Sequence, residues 1–158
     1  MSRLSSPAGL ANESATLNER VVTLTAGNAS LTPQDHAGRI LVISSELTDA
    51  AQTKTLPKAV GSGDMYEVWV NAVLTQDLVV AALGTDVLSG TARVRSETAT
   101  STDVFHTTAT DDKYTFNNTT TGGLRGDRVK LIDYATGTWL VDIEANGSGT
   151  LATGFAAT

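Results

Sequence analysis

Few residues in this chain could do chemistry unaided. Histidine occurs twice, at His36 and His106, so an acyl-transfer triad would have to recruit one of them. The acids beside them, Asp35 and Asp103, are too near in sequence to indicate a shared site, and no Gly-x-Ser-x-Gly elbow presents a serine nucleophile. Isolated histidines in a β-rich chain read as hydrogen-bonded surface or turn residues. Cysteine is absent, which excludes thiolate nucleophiles, disulfides and thiolate zinc sites. The pair Asp111-Asp112 could supply a glycosidase acid and base, but it lies between two predicted strands, in Ala109-Thr-Asp-Asp-Lys113, where Asp serves turn geometry. Calcium would need oxygen ligands at alternating positions with a distal Glu, and neither that pair nor the segment 127–133 has this spacing.

Gly61-Ser-Gly63-Asp-Met-Tyr66 begins like a phosphate loop, yet it leads into a predicted strand and no Lys-Ser or Lys-Thr pair follows. It reads as a loop, as does Asn146-Gly-Ser-Gly149. Arg125-Gly-Asp127 spells an integrin-type tripeptide but runs straight into a strand. No catalytic, cofactor-binding or metal-binding residue is therefore assigned, and neither an enzyme nor a cofactor is expected.

The elements that must carry these residues are strands. The chain has 158 residues, 25 of them threonine, a β-branched type that suits a pleated surface and loses side-chain freedom in a helix. Short apolar or alternating runs recur about every ten residues between Gly, Asn, Asp and Ser clusters, the pattern of a sandwich or barrel. Strands are predicted over 21–25, 39–44, 53–56, 66–74, 78–82, 91–95, 104–108, 113–117, 128–133 and 138–143. The 78–82 run could also be two turns of helix, and strand is preferred. Tyr114 and Phe116, Val129 and Leu131, and Trp139, Val141 and Ile143 should face the core, with Lys130, Asp142 and Glu144 facing water. Gly137, in Tyr134-Ala-Thr-Gly-Thr138, can take the positive φ of a hairpin turn. The division expected is an N-terminal arm over 1–20 and one β-sandwich domain over 21–158.

Charge narrows the partners. The net charge is -6, with eleven scattered Lys and Arg, which argues against nucleic acid because phosphate recognition needs clustered cations. Arg125, Arg128 and Lys130 read as a solvated strand face. The apolar runs are too short to cross a membrane, and the first residues lack the apolar core of a secretion signal, so synthesis in the cytoplasm without export is expected.

An ordered set of phrases carries a family resemblance: His36-Ala-Gly-Arg-Ile-Leu-Val-Ile43, Thr55-Leu-Pro-Lys-Ala-Val-Gly-Ser-Gly63 and Tyr66-Glu-Val-Trp-Val70. Further on come Thr119-Thr-Thr-Gly-Gly123, Gly126-Asp-Arg-Val-Lys-Leu-Ile-Asp133, Thr138-Trp-Leu-Val141 and Gly147-Ser-Gly-Thr150 with Phe155. From Leu31 to the C-terminus the chain resembles tailed-bacteriophage head decoration, or cement, proteins. It departs from them at Lys58, where a smaller residue is expected, and at Gly154, where proline is expected. The resemblance implies a jelly-roll-like β-domain, a homotrimer on the outer capsid surface of the virion, seated between capsomers, with the major capsid protein and itself as partners. A tail-fibre or spike component binding host glycans through Trp69 is the alternative, although Trp69 is expected in the core or at a subunit interface. A polysaccharide depolymerase using His106 or Asp111 is a third reading.

Overall fold

The computed structural model describes residues 20–24, 26–43 and 50–158. Apart from Arg20, the expected N-terminal arm lies outside the described residues. Among the described residues, twelve strands and one short helix occur, in the order β1 (Val21–Leu24), β2 (Ala29–Ser30), α1 (Pro33–His36), β3 (Ile40–Ile43), β4 (Gln52–Thr55), β5 (Met65–Val70), β6 (Leu78–Ala81), β7 (Val87–Ser96), β8 (Thr102–His106), β9 (Lys113–Phe116), β10 (Arg128–Ala135), β11 (Thr138–Gly147) and β12 (Phe155–Ala156). They form two sheets. Sheet A runs β1-β3-β5-β10-β11-β7-β8 and sheet B runs β12-β9-β6-β4-β2. The expected all-β sandwich is the architecture found.

Strand pairing is mixed. From β1 to β6 the chain alternates between the sheets, so β1, β3 and β5 are parallel neighbours in sheet A and β2, β4 and β6 are parallel neighbours in sheet B. Parallel neighbours need a long crossover, which here passes through a strand of the opposite sheet. The second half lies antiparallel on this coil, β9 against β6 and β10 against β5, and β11 then pairs in parallel with β7. These parallel neighbours depart from the antiparallel Greek keys of a regular jelly roll.

Each of the ten predicted strands is present, with shifted ends. The 66–74 run stops at Val70, whereas β7 extends from Val87 to Ser96 instead of 91–95. The 78–82 run is strand β6, as preferred. Two-residue β2 and β12 and one-turn α1 are too short to show a period. Within α1 Thr32 caps the helix with Pro33 in its first turn, and the Thr32 N–H donates to His36 Nδ1 at 2.9 Å. His36 is a turn residue, as expected.

The core lies between the sheets. Tyr114, Phe116, Val129, Leu131, Trp139, Val141 and Ile143 are all buried as the alternation predicts, and Lys130 and Asp142 are exposed. Tyr66 meets Trp139 edge-on at 5.5 Å, and Tyr114 meets Phe116 and Phe155 at 4.9 and 5.0 Å. The hairpin joining β10 and β11 turns at Gly137, with φ of 77°. At Gly90, opposite Val141 in the β7–β11 pairing, a Cβ would stand 1.8 Å from the Val141 carbonyl oxygen.

Candidate functional site

Four aspartates are buried in the sandwich, and each is held by donors from a loop. Asp133 ends the inward-facing series Val129, Leu131, Asp133 on β10. Its carboxylate accepts from the N–H groups of Val60 at 3.0 Å, Gly61 at 2.7 Å and Ser62 at 3.1 Å, and from the Ser62 hydroxyl at 2.8 Å. The Gly61-Ser-Gly63 loop therefore is an anion nest, and the anion it holds belongs to its own chain. Burial pushes the Asp133 pKa up, but these bonds together outweigh it and hold the group below the usual carboxylate range.

Asp127 stands at the other end of the same inward series. Its Oδ2 accepts from Gly123 N at 2.7 Å and Leu124 N at 3.0 Å, and its Oδ1 from the Asn146 side chain at 2.7 Å and Asn146 N at 3.0 Å. Here burial dominates and raises the pKa, with the bonds only partly offsetting it. Because Asp127 is 0% exposed, the Arg125-Gly-Asp127 tripeptide cannot offer its carboxylate to a receptor.

The expected turn role of Asp111-Asp112 is what the geometry gives. Asp111 accepts from Thr108 N at 2.7 Å, while Asp112 accepts from the backbone and hydroxyl of Thr158. Asp86 was missed by sequence reasoning. It is buried and accepts from Ala59 N at 2.6 Å and Lys58 Nζ at 2.8 Å, which accounts for a long cation at Lys58. The other departure, Gly154, also has a local cause: a Cβ there would stand 2.7 Å from the Thr115 carbonyl oxygen and from the Tyr114 ring. Asp127 and Asp133 were legible in principle, as acids in phase with Val129 and Leu131.

No constellation joins the two histidines. His36 precedes β3, and His106 closes β8 at the far edge of sheet A. Among the described residues no cluster of three His, Cys, Asp or Glu could hold a metal ion, and no helix is long and apolar enough to cross a membrane.

The outer face of sheet A carries stripes of charge. Glu67 on β5, Arg128 and Lys130 on β10, Asp142 and Glu144 on β11, and Arg93 and Arg95 on β7 alternate in sign from strand to strand. Arg93 bridges Asp142 at 3.2 Å and Glu144 at 2.8 Å, and Arg95 reaches Glu144 at 2.8 Å. Arg128 and Lys130 are thus on a solvated strand face, as expected. Trp69 is on this face and not in the core: it is half-buried under Arg128, whose guanidinium lies 5.3 Å from the ring centre, and its Nε1 donates to Glu67 at 2.9 Å. A sugar could stack there only by displacing Arg128. Beside it a groove of about 520 Å³ runs to the sheet edge, floored by Val21, Ile40, Val42 and Trp69 and flanked by Arg125.

Compared with known proteins, the chain matched no family model, no curated protein sequence and no solved structure.

Proposed function

We propose that this chain is a non-enzymatic structural protein of a tailed-phage virion, decorating and stabilising the outer capsid surface as a homotrimer seated between capsomers. The observation that carries the reading is the ordered set of family-like phrases from Leu31 onward. Those phrases supply part of the anchoring network: Val60-Gly-Ser62 wraps Asp133, and Gly123 N donates to Asp127. The phrases that resemble cement proteins thus include residues that keep the shape of this chain, and a clamp acts through shape and contact area.

A cement protein binds the assembled lattice and not free subunits, so its binding free energy adds to shell stability by mass action. Three joined copies multiply that effect through avidity, and a cyclic trimer matches a local threefold of the lattice. Light scattering on the purified chain should give three times the 16.4 kDa chain mass. Capsids of the encoding phage, stripped of this protein, should take it up on co-sedimentation and then resist heating better. A monomer that fails to sediment with such capsids sinks the reading.

A further inference from the structure

We infer that the groove at the β1 edge of sheet A receives the N-terminal segment, residues 1–19, of a second copy of this chain. The inference rests on the trimeric reading above and names the contact that would close the ring.

Three features of the groove describe its occupant. Its floor is apolar and open to solvent, with Val21 51% and Ile40 38% exposed beside Val42 and Trp69. It crosses β5 and β3 to β1, the last strand of sheet A, whose outward backbone groups have no strand partner among the described residues. Such an edge invites another extended chain. Arg125 lines it and Arg128 covers its Trp69 end, and neither makes an ion pair among the described residues, although the protein as a whole carries net charge -6. An extended segment bearing both apolar and acidic side chains fits all three. Residues 1–19 hold Leu4, Leu10 and Leu17, and their stretch nearest the fold, residues 10–19, bears Glu13 and Glu19 and no cation, Arg3 lying further out.

The donor is a second copy because of where the segment joins the fold. The Arg20 carbonyl already accepts from Ile40 N at 2.8 Å, so the chain is extended on entering β1. To lie in its own groove it would have to reverse tightly at Asn18-Glu19, immediately before that point, whereas an extended continuation needs no turn at all. Ten residues running on in extended form reach roughly 33 Å, far enough to meet a neighbour. In a cyclic assembly each copy then gives one segment and receives one.

The absence of cysteine allows a direct test. Val42→Cys is combined in turn with Leu4→Cys, Leu10→Cys and Leu17→Cys in the full chain and oxidised, with the single-cysteine chains as controls. At least one pair should give covalent oligomers on non-reducing gels that the controls do not give. Cross-links only within one chain, or none while light scattering still reports a trimer, would overturn the inference and leave capsid decoration standing; a monomer would remove the trimer and this contact together. Independently, Arg125→Glu with Arg128→Glu should weaken association about tenfold, and Glu13→Arg with Glu19→Arg should restore it. Unchanged association in the double arginine variant counts against the groove as the receiving surface.

Discussion

Asp133 and Asp127 close the two ends of one inward-facing strand, yet they answer to pH in opposite directions. Asp133 is held below its unfolded pKa by the loop donors, so its contribution to stability is present above an unfolded value of about 3.9 and is lost as pH falls through the lower folded value. Asp127 is raised by burial, so its contribution is full below about pH 3.9 and is lost as pH rises through the folded value. Urea unfolding between roughly pH 3 and pH 7 should therefore show the cost of Asp133→Asn shrinking toward acid and that of Asp127→Asn growing. Parallel slopes for the two variants would contradict this account. At neutral pH, Asp133→Ala strands the donors of residues 60–62 and should cost about 3 kcal/mol.

Two tyrosines make a second residue-scale contrast. The Tyr114 hydroxyl donates to the Thr121 carbonyl at 2.8 Å, whereas the Tyr66 hydroxyl is buried without a hydrogen-bond partner. Burial, with the nearby charges of Asp64 and Asp133, pushes the Tyr66 pKa up to about 12. Tyr114→Phe should cost about 1 kcal/mol, and Tyr66→Phe should be neutral or stabilising, since it removes a desolvated group that gains nothing. Midpoints of denaturant unfolding, compared at equal slope, decide between them.

At the scale of elements, the tightest constraint is the parallel seam of β7 and β11. A Cβ at Gly90 would fall within 1.8 Å of backbone oxygen and 2.9 Å of backbone carbon at Val141, and neither can move without parting the strands. Gly90→Ala should cost about 3 kcal/mol or more, at the upper end of single-substitution effects. The charge stripes above the same seam act far more weakly, because Arg93 and Asp142 are about half exposed. Arg93→Ala should cost below about 1 kcal/mol, and the difference should fade in about 1 M salt. A large, salt-insensitive loss would mean that Arg93 serves packing and not charge.

The whole molecule is held by pairings between distant parts of the chain. Met65 opposes Ile132, Leu78 opposes Phe116 and Tyr114 opposes Phe155, so the closing contacts form only after long loops are ordered. Refolding followed by Trp fluorescence should be slow for this length, in roughly milliseconds to seconds, as for other non-local β-proteins.

Much of the fold was legible in the sequence. Alternation alone places Tyr114, Phe116, Val129, Leu131, Trp139, Val141 and Ile143 in the core, because side chains on a strand change face at every residue and a one-sided sheet must bury one set. Which strands become neighbours was not legible: β1, β3 and β5 share a sheet although β2 and β4 come between them, and no local signal records a partner tens of residues away. The same limit explains the sites. The sequence showed Gly61-Ser-Gly63 as a loop and Asp133 as the end of a strand, but only folding brings the 60–62 donors to that carboxylate. Trp69 is not in the core but on the outer face beneath Arg128, in phase with Glu67, because alternation along β5 sends Tyr66, Val68 and Val70 inward and leaves Glu67 and Trp69 on the other side. The strand pattern is a property of neighbouring residues and their contact with water, whereas the anchored loops and the groove exist only where distant segments meet.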